Sequence, residues 1–176
     1  MSPRYLTRRR SVGRRLFEGT LVRNGPGQFE AGPHSFQHLF DGLALLSKFR
    51  VAPGGRVFAS TRFVQSRDHA AAQGEGGYIR SRQFGTQDTP RGPLAWASGV
   101  LGNITGADVT DNANVSVIPW PAAPGGALAC TETVAGTFSL DVGSLETSPF
   151  VWGPDSVKGS LTTAHALPGP NGDLLK

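Results

Sequence analysis

Glycine and proline interrupt this chain so often that a long helix has nowhere to form. They number 24 and 13 among 176 residues, above average usage yet short of the non-periodic excess that marks low-complexity sequence. Past Glu18 the runs between them alternate apolar and polar residues, and none sustains the 3.6-residue period of an amphipathic helix. The sequence therefore predicts an all-β fold of short strands and turns. In LALLSKFRVAPGGRVFASTRFV, Leu45, Ser47, Phe49 and Val51 fall on one face and Lys48 and Arg50 on the other. Pro53, Gly54 and Gly55 turn the chain, and Val57, Ala59, Thr61 and Phe63 return beside Arg56 and Arg62, which reads as an antiparallel hairpin. VSVIPW, ALACTET and TFSLDV read as a three-strand meander.

Residues 65–113 are the least regular and are expected to be loops, with one apolar island, PLAWASGVL at 93–101. That island reads as ordinary core, as a short helix, or as a surface segment in which Trp96 meets a membrane. No run approaches the roughly 18 apolar residues of a spanning helix. The single cysteine, Cys130, excludes an internal disulfide framework and suits a reducing compartment.

The formal charge of +4 suggests nucleic acid only until it is located. Arg4, Arg8, Arg9, Arg10, Arg14 and Arg15 all precede the first acid, which leaves 11 bases against 13 acids in the rest. The folded part thus lacks a basic excess that would condense on phosphate. Residues 1–18 read as an Arg-rich tail, which can be a solvated leader, an organelle transit segment, or a membrane-surface or nucleic-acid arm, and residues 19–176 as the folded part. The length fits one domain or a piece of a larger one.

The four histidines, His34, His38, His69 and His165, show no HExxH or cysteine–histidine spacing. Nor is there a GxSxG elbow, a Walker loop or a GxGxxG that opens a helix. Glycine and proline around His34 and His38 argue for turn or packing roles. His165 has the most suggestive setting, between a Thr-Thr-Ala run and a Pro-Gly-Pro-Asn-Gly turn, because strand ends are where propellers and barrels gather ligands.

In order along the chain, GTLVRNGPG (19–27), HLFDGLALLSKF (38–49), RFVQS (62–66), FGT (84–86), VTDNANVSV (109–117), ACTET (129–133), LET (145–147) and LTTAH (161–165) resemble the carotenoid cleavage oxygenases. The likeness is to the branch that contains the β-carotene oxygenases and the retinal pigment epithelium isomerohydrolase. This resemblance implies the N-terminal part of a seven-bladed β-propeller, with one ferrous ion held on the axis by four histidines from different blades.

It also implies oxidative cleavage of a carotenoid or apocarotenoid double bond with O2, giving carbonyl products. LTTAH resembles the segment that supplies the first iron ligand, which carries that role to His165. Glu132 matches a glutamate that hydrogen-bonds a ligand histidine and fixes its orientation. Neutral imidazoles suit Fe(II), and an open coordination position admits O2.

On this likeness the other three iron histidines are expected beyond Lys176, so these 176 residues are expected to be inactive alone. The expected location is intracellular, in the cytoplasm or in a plastid or mitochondrion, with a peripheral membrane contact and no nucleic-acid partner. Two other functions stay open on the same residues: a non-catalytic carotenoid- or lipid-binding fragment, and an isomerohydrolase or stilbene-cleaving relative, since one scaffold serves several reactions.

Overall fold

A computed structural model describes residues 4–6, 18–79, 109–133, 135–150, 162–171 and 173–175. Strands dominate, as the glycine and proline spacing predicts. The first sheet contains β1 (Arg4–Leu6), β2 (Gly19–Arg23) and β3 (Pro26–Gln28). After a small ribbon of β4 (Glu30–Ala31) and β5 (His34–Ser35), the chain forms the hairpin of β6 (Leu43–Ala52) and β7 (Arg56–Phe63). The strand order is β1-β7-β6-β2, and all pairs are antiparallel. Part of the Arg-rich segment thus becomes an edge strand on β7.

The hairpin forms where it was expected because Gly54 and Gly55 take φ of 78° and 75° after Pro53, a left-handed conformation that costs glycine nothing. The ten-residue β6 is long enough to serve two partners in succession. It pairs with β2 from Ser47 to Val51 and with β3 at Leu43 and Ala44. Between them the chain bends at Asn24 and Gly25, where the Gly25 carbonyl accepts the Leu45 N–H at 2.8 Å.

The second sheet is a meander of β8 (Ser116–Pro119), β9 (Gly126–Cys130), β10 (Thr137–Asp141) and β11 (Thr147–Pro149), paired in chain order. The first three strands are those expected, and β11 is an addition. Alternation along β9 buries the sheet on both faces. Ala127 and Ala129 join Phe138 and Leu140 against Ala44, Leu46 and Val64 of the first sheet. Leu128 and Cys130 join Ile118, Ala164 and Ala166 on the other side. Two antiparallel sheets stacked in this way have the arrangement of neighbouring blades in a propeller. Full burial of each large side chain in the stack contributes about 1.5–3 kcal/mol.

Lys48 and Arg62, on the face opposite Leu45, Ser47, Phe49 and Val51, rim the contact between the sheets. The Lys48 ammonium donates to the Gly143 carbonyl, and Arg62 pairs with Glu146 at 3.3 Å. The second pair is exposed and adds little stability. The face with Leu45, Ser47, Phe49 and Val51 is only half-buried.

Within the stretch expected to be loop, Arg67–Gln73 is a helix, α1. Ser66 caps it by accepting the His69 N–H at 3.0 Å, and Asp111 accepts the N–H groups of Arg67 and Asp68 at 2.8 and 3.0 Å. A carboxylate at a helix start is favourable both as an acceptor and against the dipole. The apolar island at 93–101 lies outside the described residues. After His165, β12 (Leu167–Pro168) and β13 (Leu174–Leu175) form a short antiparallel ribbon.

Candidate functional site

The two sheets are joined at one end by a buried polar seam. Asn112 accepts the Ala44 N–H through Oδ1 at 2.9 Å and donates from Nδ2 to the carbonyls of Asp41 and Gly42 at 3.2 and 2.9 Å. Asn114 donates to the carbonyls of Phe40 and Gly42 at 2.6 and 2.9 Å. Thr110 donates to Asp68 Oδ2 at 2.6 Å, and Thr133 donates to the Thr110 carbonyl at 2.7 Å. The segment 109–114 is therefore polar because its side chains complete backbone groups of the first sheet, of the turn that leads into β6, and of the helix start. Buried groups of this kind are costly to leave unpaired.

Asn114 of this seam also lines a cleft of about 420 Å³, together with Asn24, Gly25, Pro26, Phe40, Val115, Glu132 and His165. Each lining residue falls in one of five sequence segments singled out above: GTLVRNGPG, HLFDGLALLSKF, VTDNANVSV, ACTET and LTTAH. Segments far apart in sequence thus meet at one concave surface. Asn24, Phe40, Asn114 and Val115 had no assigned role from sequence, and the only signal for them was membership of these segments.

Glu132 and His165 border the same cleft, and both side chains are exposed to it. Their backbones are linked nearby, because the Thr162 N–H donates to the Glu132 carbonyl at 2.9 Å. His165 follows Ala164, whose side chain is fully buried against the outer face of the second sheet. His165 itself is exposed, next to this anchored residue. The other histidines lie elsewhere: His38 accepts the Phe40 N–H through Nδ1 at 3.2 Å, and His69 stacks on Phe63 with ring centroids 5.0 Å apart. Desolvation lowers the His69 pKa below the usual imidazole value.

An imidazole and a carboxylate beside an open cleft are donor types that suit a divalent first-row metal. Among the described residues there is no group of three or more histidine, cysteine, aspartate or glutamate side chains able to hold one. No helix among the described residues is long and apolar enough to cross a membrane.

Residues 14–175 match the family described as retinal pigment epithelial membrane protein. The chain belongs to the carotenoid cleavage oxygenase family. It is 35% identical over 152 residues to carotenoid cleavage dioxygenase 8 homolog A, chloroplastic, of Oryza sativa subsp. japonica, which covers 85% of this chain and 27% of that protein. It is 32% identical over 158 residues to the mitochondrial carotenoid-cleaving dioxygenase of Macaca fascicularis, covering 88% of this chain and 27% of that protein.

Among solved structures, cobalt-substituted Synechocystis apocarotenoid oxygenase superposes with a TM-score of 0.66 at 29% identity, over 85% of this chain and 29% of that one. The chain thus spans about a quarter of the length of the curated relatives it matches. Its fold is all-β and corresponds to the N-terminal part of the seven-bladed propeller of the carotenoid oxygenases.

Proposed function

We propose that the full protein containing these residues cleaves a double bond of a carotenoid or apocarotenoid with O2, giving two carbonyl products, and depends on one ferrous ion. The observation that supports this reading is the presence of Glu132 and His165 on the wall of one cleft. His165 would give one imidazole nitrogen to the iron, and the remaining histidine ligands would come from outside these 176 residues. The iron, when bound, supplies the site at which O2 meets the double bond to be cut.

The chain's own residues do the rest. The Glu132 carboxylate accepts an N–H from a ligand imidazole, which fixes the ring's tautomer and raises its basicity. Phe40, Pro26 and Val115 give the cleft an apolar wall beside His165, suited to a polyene and unfavourable for water. The Nδ2 groups of Asn24 and Asn114 donate to backbone carbonyls, so the amide donors lining the cleft are already used.

Residues 19–176 would then form the opening part of a propeller, with residues 1–18 as an Arg-rich extension. That extension, together with the chloroplastic and mitochondrial relatives, supports an organellar location. The apolar island at 93–101 would supply a peripheral membrane contact. These 176 residues alone would not turn over, because a single ligand histidine, His165, is too few to retain iron.

Incubation of the full-length protein with Fe(II), O2 and β-carotene or an apocarotenal in detergent micelles tests the reading. It expects paired carbonyl products that take up oxygen from 18O2. Bound carotenoid with no products would make it a binding protein instead, and a product of unchanged carbon skeleton would make it an isomerase.

A further inference from the structure

Two polar side chains outside the proposed ligand set tie three parts of the chain together beneath the cleft. Asn24 sits at the bend between β2 and β3, and its Nδ2 donates to the Ala113 carbonyl at 2.5 Å and to the Ser116 carbonyl at 3.1 Å. Both amide hydrogens are thus spent on the short segment that leads into β8 of the second sheet. Oδ1 of Asn24 is buried and has no hydrogen-bond partner among the described residues. Reversing the amide would aim that oxygen at two carbonyls, so the donors alone set its orientation.

Ser116 passes the connection on. Its carbonyl is held by Asn24, and its Oγ donates to the carbonyl of Ala164, the residue before His165. Two further bonds act on the same segment: the Thr162 N–H donates to the Glu132 carbonyl at 2.9 Å, and the His165 N–H donates to Thr163 Oγ1 at 3.1 Å. The buried Ala164 methyl blocks sliding toward the sheet. Of these restraints, only the Ser116 bond connects the His165 segment to the sheet-to-sheet contact made by Asn24.

We propose that Asn24 and Ser116 are positioning residues, a hydrogen-bonded relay from the first sheet through the second that sets where the His165 imidazole stands in the cleft. The proposal rests on the reading of His165 as an iron ligand. A metal site tolerates only about 0.5 Å of displacement in a ligand before affinity falls. Loss of a partner that orients a ligand typically lowers metal affinity about 10–100-fold. Ser116→Ala removes the link to Ala164. Asn24→Asp keeps the shape but replaces the two donors with an acceptor facing carbonyls. Ser116→Thr retains the hydroxyl and restores the link.

The test uses the full-length protein and its Ser116→Ala, Ser116→Thr and Asn24→Asp variants. Two readouts apply: Fe(II) affinity by chelator competition, and amide hydrogen exchange over residues 162–166. The expected result is faster exchange in that segment and roughly tenfold or greater loss of Fe(II) affinity in Ser116→Ala and Asn24→Asp, with Ser116→Thr near wild type. Unchanged exchange in Ser116→Ala overturns the relay whatever the metal does. Faster exchange with wild-type Fe(II) affinity overturns its role in positioning the ligand. If the wild type itself holds no iron while Ser116→Ala still speeds exchange, the anchoring stands and the ligand reading of His165 fails.

Discussion

Asn112 and Ala44 are joined by a hydrogen bond of 2.9 Å between residues 68 apart in sequence, with the asparagine oxygen accepting the backbone amide at the start of β6. The same carboxamide donates to the carbonyls of Asp41 and Gly42, so oxygen and nitrogen are both committed. Asn112→Asp preserves the volume but loses two donors and sets an acceptor against two carbonyls. It should destabilise the fold by about 3 kcal/mol, at least as much as Asn112→Ala, because each buried group left unpaired costs about 1–3 kcal/mol. Urea denaturation of the two variants checks this, and an Asn112→Asp midpoint equal to wild type would contradict the role of the seam.

Two glycines should respond differently to alanine. A Cβ on Gly27 would lie 2.3 Å from the Cβ of Leu45, so Gly27→Ala forces β3 away from β6 at the edge of the cleft. Overpacking of this kind costs about 1–3 kcal/mol. Gly54 has open space around it and only its φ of 78° to protect, so Gly54→Ala should cost about 1 kcal/mol. Thermal unfolding that ranked Gly54→Ala as the worse of the two would contradict the packing described at β3.

The pair of glycines also shows what sequence could and could not convey. The hairpin was legible because Pro53, Gly54 and Gly55 determine a turn locally and the flanking strands alternate. Helix α1 was not, since seven residues are too few to display a 3.6-residue period, although Ser66 followed by Ala70, Ala71 and Ala72 carried a capping and propensity signal. The strand β11 is three residues long and includes Pro149, so nothing local distinguishes it from a turn. The contacts of Lys48 and Arg62 with the second sheet were not legible, because alternation tells which residues share a face without telling which face meets a second sheet.

The cleft was legible only in part, for a similar reason. His165 stood out by its place at a strand end and Glu132 by family likeness, but their meeting depends on the packing of Ala164 and on the Thr162 bond, neither of which has a local signature. Asn24 looks like a turn residue until its partners, 89 and 92 positions away, are known.

His69 gives the fold a pH dependence with a definite sign. Desolvation lowers its pKa in the folded chain below the unfolded value of about 6.5, so the unfolded state binds the proton more readily. The stabilisation from the neutral ring stacked on Phe63 is fully present above about pH 6.5 and is lost as pH falls through the folded pKa. His69→Phe keeps a ring on Phe63 and removes the titration, so its unfolding midpoint should fall less than that of wild type between about pH 7 and pH 5. Parallel pH profiles for the two proteins would assign the acid sensitivity to another group.

The central claim, that His165 is an iron ligand of a carotenoid-cleaving enzyme, is tested most directly by the iron content of the full-length protein and its His165→Ala variant. The account predicts about one iron per wild-type protein and a loss of at least tenfold in Fe(II) affinity in the variant, with the fold retained by circular dichroism. Wild-type iron content and affinity in His165→Ala would contradict it.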